Sequence, residues 1–262
     1  MVFEQFLESE NVKKHSAFVF LLGVFYVFVG YIVSAYFFKD DVSIAMLFTT
    51  TLLLVPSIYV LLAIEEKMES RQGVKKFYHN HKDIFKVFLF LFLGIFAAFV
   101  FLGALRPEIF SYQNDFLEVR GDLDFAEGDD MSRLSGIITQ NLMVVVIAFV
   151  LSVFYGAGAL FLIVLNASIF ASFIDYVMRE LGNRIVFGLF LIHLVPELGG
   201  FLLAAISGGV VSRALMREKA GSKGFKNVLT DALVLLLVAA LLIIIAGFLE
   251  VFVSGKMALG MV

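Results

Sequence analysis

Cysteine is absent from the 262 residues, which excludes disulfides, iron–sulfur clusters and thiolate-bound zinc and leaves the redox compartment unreadable. Tryptophan is absent too, and proline occurs only three times. Charge is scarce: Asp, Glu, Lys and Arg make up 16% of the chain, against roughly a quarter in a soluble domain. Neither sign dominates that fraction, since the net charge is −3, and nucleic acid is excluded as a partner. What fills the chain instead is apolar surface, 61% of the residues, with 31 phenylalanines. A soluble globular enzyme is excluded, and an integral membrane protein remains.

A spanning helix needs roughly 20 mainly apolar residues to cross hydrocarbon about 30 Å thick. That criterion predicts spans over 16–38, 43–64, 85–105, 136–155, 159–178 and 228–252. The stretch 185–213 is apolar but long, and Pro196 interrupts it. Proline suits a first helical position, and the residue before it avoids helical geometry. The economical reading therefore starts a spanning helix at Pro196 and leaves 185–194 as a broken or re-entrant segment, which protein must cover. The alternative is one kinked, tilted helix with His193 and Glu197 on a single face. Either way the fold class is an all-α polytopic bundle of about seven spans.

The basic residues orient the bundle. With the N-terminus inside, the inner segments hold Lys13, Lys14, six bases in 65–86 and five in 213–227. The outer segments hold Lys39, three bases in 106–135, Arg179, Arg184 and Lys256. Thirteen against seven places the N-terminus inside and the C-terminus outside a cell membrane. Although Val33-Ser34-Ala35 resembles a cleavage site, the first apolar run is too long for a secretory signal, so it reads as a retained anchor. The organisation is an inner N-terminal segment 1–15, a three-span part 16–105, an acidic outer loop 106–135, a helical core 136–252 and an outer tail 253–262.

The inner connection 65–86 mixes both signs and ends basic, suiting a helical extension near anionic headgroups. The outer loop carries eight acids against three bases. Its Asp122-x-Asp124 opens like a calcium loop, but Gly128 stands one place late and Arg133 occupies the position of the closing acid. A solvated acidic loop is the better reading.

Polar groups at bilayer depth are costly and mark candidate sites. Asn141, Asn166, Asp175, His193, Glu197 and Glu250 qualify. In the proposed orientation all but Asn166 approach the outer-leaflet level, where they would bind an ion, a proton or a headgroup. The competing reading is structural: carboxylates near helix ends reach water, and asparagines join neighbouring helices for roughly 1 kcal/mol. A metal, if there is one, would draw on His193, Glu197 and Glu250. Gly200, Ala204 and Gly208 form a small-residue stripe for close helix packing, and Gly94 with Ala98 a weaker one. Gly156 and Gly158 allow a tight turn between two spans.

No HExxH, GxGD, GxSxG, P-loop or GxGxxG motif occurs, so none of these supports catalysis. Glu65-Glu66 followed by Arg71 approaches the EExxxR of CAAX-type intramembrane proteases, with the arginine one place late. No catalytic residue and no cofactor is assigned.

Taken in order, Asn141, the run FYGAGALFLIVLNAS from Phe154 to Ser168, IHLVPE from Ile192 to Glu197 and GFLE ending at Glu250 resemble the stage II sporulation protein M (SpoIIM) family over about 136–252. Leu194 and Ala167 stand where that family usually has glycine. The resemblance implies a multi-pass membrane protein. Spore-forming relatives take part in engulfment alongside cell-wall hydrolases, and many other relatives have no settled activity. Expected partners are the lipid bilayer and envelope or membrane proteins, with homo-oligomerisation possible. The leading expectation is a non-enzymatic scaffold of an envelope-remodelling complex. A transporter or lipid-handling protein is second, and an intramembrane hydrolase using Glu197 and His193 is third.

Overall fold

A computed structural model describes residues 16–56, 77–120, 129–155, 159–181 and 184–256. Its elements are α1 (Ser16–Phe37), α2 (Val42–Pro56), α3 (Phe77–Leu105), a 3-10 turn (Pro107–Phe110), α4 (Ser111–Arg120), α5 (Asp130–Tyr155), α6 (Ala159–Tyr176), α7 (Arg184–Arg217) and α8 (Lys223–Leu249). Two π-helical turns, Val177–Leu181 and Glu250–Gly255, extend α6 and α8. No strand occurs among the described residues. Among the described residues six helices are long and apolar enough to cross a membrane, and α2 is a shorter apolar helix. The expected span 43–64 is therefore described only as far as Pro56. The turn at Gly156 and Gly158 and most of the inner connection 65–86 lie outside the described residues.

Close backbone approach shapes the packing. At the α1–α3 crossing a Cβ on Gly23 would lie 2.6 Å from the Leu91 carbonyl, and one on Gly94 would run into the Phe20 carbonyl. Across α5 and α7, Gly208 abuts the Phe149 carbonyl and the Ser152 Cβ. A Cβ on Gly200 would lie 3.0 Å from the Ala239 carbonyl of α8, and Ala204, between Gly200 and Gly208, is fully buried. The small-residue stripe thus serves two neighbours, α5 and α8, by turning slightly along α7. Lipid competes for apolar surface, so such shape complementarity holds membrane helices together.

The segment before Pro196 is not broken or re-entrant. α7 is one helix of 34 residues with Pro196 inside it. Proline removes one backbone donor there, a loss that membrane helices tolerate when neighbours enclose them. α7 is so enclosed: residues 198–214 are buried without interruption. At 1.5 Å per residue it is about 51 Å long, enough to cross with a strong tilt. His193 and Glu197 accordingly share one face. The helix also takes in Arg213, which the sequence reading assigned to an inner connection; it is only 1% exposed.

The span 106–135 also differs from a solvated loop. After Leu105 the chain turns through Pro107–Phe110, buries Ile109 and Phe110, and continues as α4. Gly103 provides the space, since a Cβ there would meet the Phe110 ring. Gln113 of α4 is fully buried: its Oε1 accepts from Ser43 at 2.7 Å and its Nε2 donates to Ser168 at 3.0 Å. Ser172 donates to Asn114 at 2.6 Å. The aspartates of the calcium-like run, Asp122 and Asp124, lie outside the described residues. Gln113→Leu leaves both serine partners without that amide and is expected to cost roughly 1–3 kcal/mol. Thermal unfolding in nanodiscs checks this, and an unchanged midpoint would refute the linking role of Gln113.

Candidate functional site

α7 and α8 run antiparallel: Ser207 Oγ donates to the Ala232 carbonyl at 2.9 Å, and at the far end His193 meets Ser254. α5 and α8 are also antiparallel, since Gly247 seats against Ile138 and Leu134, and Lys256 pairs with Asp130 at 2.8 Å. α5 and α7 therefore run in the same direction. Asn141 precedes Ser152 by the same number of residues as Glu197 precedes Gly208, and Gly208 abuts Ser152. Asn141 and Glu197 thus lie at one level, at the end where α8 carries Glu250 and Ser254.

His193 is the centre of this end. Its ring is 6% exposed and sits edge-on to Phe190, centroids 4.8 Å apart. Phe190 stacks on Phe173 at 4.4 Å, which ties the site to α6. His193 Nδ1 lies 2.8 Å from Ser254 Oγ, and that hydroxyl donates to the Leu249 carbonyl at 3.0 Å. The Ser254–Leu249 bond spans five residues, so the π-helical turn is what brings Ser254 to the histidine. Such turns are rare and often occur at functional sites. Glu197 is 8% exposed one helical turn from His193, and Asn141 is 5% exposed. Glu250 is half-buried at the first position of the π-turn.

Two candidates play other parts. Both oxygens of Asp175 accept from Arg179 Nε at 2.8 Å, while Arg179 Nη2 donates to the carbonyls of Gly103 and Ala104 at 3.3 Å. Asp175 therefore positions an arginine that satisfies two carbonyls in the last turn of α3, where helical donors run out. Asn166 is half-buried mid-way along α6. Among the described residues no group of three or more His, Asp or Glu side chains could hold a metal ion, so His193, Glu197 and Glu250 do not form a ligand set.

Four participants escaped the sequence reading. Ser254 is one serine in an apolar run, and no periodicity marks a π-turn. Gln113 lay in a segment read as a loop. Arg213 and Asp231, both essentially fully buried, occupy neighbouring helices α7 and α8. Asp231 was legible in principle, as a carboxylate inside a span.

The model of the family described as stage II sporulation protein M, SpoIIM, matches residues 87–255. The chain belongs to the SpoIIM family. Neither the curated proteins nor the solved structures contain a significant match. The SpoIIM match begins earlier than the resemblance over 136–252, so most of α3 and all of α4 belong to the family segment. Among the described residues, α1, α2 and the start of α3 precede it. Asn141, His193, Glu197, Glu250 and Ser254 all lie within the matched residues, as do Gln113, Asp175 and Arg179.

Proposed function

We propose that this SpoIIM-family protein is a non-enzymatic scaffold of an envelope- or membrane-remodelling complex, set in the cell membrane with its N-terminus inside and its C-terminus outside. The observation that carries the reading is the way polar side chains fasten the helices together. Gln113 ties α4 to α2 and α6, Ser172 ties α6 to α4, and Arg179 ties the end of α6 to α3. A frame cross-linked in this way holds α4 firmly, with Glu108, Tyr112 and Asp115 exposed beside it for contact with partner proteins.

The test is photo-cross-linking in the native membrane from positions 112 and 115. A protein adduct at these positions, missing from lipid-facing position 143 of α5, supports the scaffold. Lipid adducts alone at all three would refute it.

Orientation has its own test, made clean by the absence of natural cysteine. Single-cysteine variants Asp40→Cys, Glu108→Cys and Lys256→Cys are expected to react with an impermeant thiol reagent on intact cells, and Lys219→Cys only after permeabilisation. The opposite pattern reverses the proposed orientation.

A second reading, transport or lipid handling, is favoured by Arg213 and Asp231, because ionisable residues inside spans commonly mark ion or proton pathways. Under it Glu197→Gln abolishes flux in proteoliposomes with folding intact. Full flux in that variant removes Glu197 from any transport role.

A further inference from the structure

The hairpin between α7 and α8 concentrates positive charge. From Arg213 to Lys226 the chain carries five bases and a single acid, Glu218. That acid is occupied within the hairpin: its Oε2 accepts from Ser222 Oγ at 3.2 Å, and a Cβ on Gly224 would lie 2.7 Å from the same oxygen. Ser222 in turn caps α8 by accepting from the Phe225 amide at 3.1 Å. The turn itself is tight. The Ser222 amide donates to the Lys219 carbonyl at 2.9 Å, and Gly221 takes the φ of 82° that glycine supplies at the third position of such a turn. Lys219, Lys223 and Lys226 are exposed around it, and none of them forms an ion pair among the described residues.

Two of these lysines open an exposed stripe along α8. From Lys223, steps of three and four residues lead through Lys226, Thr230, Leu233 and Leu237 to Leu241, and residues so spaced share a helix face. The three leucines are between 54% and 71% exposed. At 1.5 Å per residue Lys226 stands about 10 Å from Leu233 and about 22 Å from Leu241 along the axis. Half of the hydrocarbon is about 15 Å thick, so the leucines lie at acyl-chain depth when the ammonium groups reach the headgroups. We propose that this face of α8, with Lys219 beside it at the turn, binds an anionic phospholipid: the lysines hold the phosphodiester and the leucines an acyl chain. A zwitterionic headgroup brings its own cation, which these lysines repel, whereas an anionic one supplies the charge that Glu218 does not. The inference needs neither the scaffold reading nor the proposed orientation, because local charge and periodicity carry it.

The test is fluorescence quenching in full-length protein, where the lack of natural tryptophan makes an introduced one the sole reporter. Leu233→Trp lies in the stripe, and Met143→Trp lies on the exposed side of α5 towards the His193 end. Each is reconstituted into vesicles of phosphatidylcholine and phosphatidylglycerol, with bromine on the acyl chains of one lipid or the other. One lysine near a membrane surface is worth about five-fold in binding, so at Leu233→Trp the relative binding constant of phosphatidylglycerol over phosphatidylcholine is expected to be about five-fold or more. At Met143→Trp the two lipids are expected to quench alike. Changing Lys219, Lys223 and Lys226 together to Gln is expected to abolish the preference at Leu233→Trp, and changing all three to Arg to keep it. All three lysines are exposed, so the bundle is expected to fold in both variants. Equal quenching by the two lipids at Leu233→Trp, a preference that survives the glutamine changes, or the same preference at Met143→Trp would overturn the proposal.

Discussion

Gly208→Val is expected to destabilise the bundle by about 3 kcal/mol, at the upper end of the range for overpacking a tight interface. The Phe149 carbonyl and the Ser152 Cβ already occupy the space a side chain would need. The carbonyl belongs to helical backbone and cannot rotate aside like a flexible side chain, so α5 and α7 must separate. Gly188→Ala on the same helix is the matched control. No atom lies within 4 Å of a Cβ there, and alanine favours helix over glycine by up to about 1 kcal/mol. Unfolding in detergent or nanodiscs should therefore move in opposite directions for the two variants. Equal, small shifts would mean that α5 and α7 do not pack through Gly208.

Asp231→Leu and Arg213→Met are each expected to cost roughly 3–5 kcal/mol alone, and together far less than the sum. Arg213 is 1% exposed and Asp231 0%, on helices packed along their length. Opposite charges buried on neighbouring helices offset each other, so removing either is expected to leave the other less compensated, whereas removing both takes two costly charges out of the interior. A double-mutant cycle on unfolding free energies measures the coupling. Additive costs would show that the two charges are balanced by different groups, and would also weaken the transport reading that rests on them.

The helices were legible in the sequence because their cause is composition: an apolar run of about 20 residues must satisfy its backbone internally. Pro196 was ambiguous for a physical reason. Local propensity ends a helix there, while enclosure by neighbouring helices, which no local rule contains, lets it continue. The same limit hid α4, where eight acids across 106–135 outweighed the two apolar residues, Ile109 and Phe110, that bury its approach.

At the site, His193, Glu197, Asn141 and Glu250 were readable as costly intramembrane groups, and the structure places them at one end of the bundle. Asp175 was readable as polar but not as a partner of Arg179, because that pairing depends on where α3 ends. Ser254 carried no signal at all. Its importance comes from a π-turn that shifts the register by one residue, which sequence periodicity does not encode.

The central claim, a membrane scaffold held ready for partner proteins, is tested most directly by native mass spectrometry of protein gently extracted from its own membrane at natural abundance. The wild-type chain is expected to leave the membrane with another protein bound, and a Tyr112→Ala/Asp115→Lys variant of α4 to lose that protein while remaining folded. A wild-type chain that emerges without any protein partner would contradict the account.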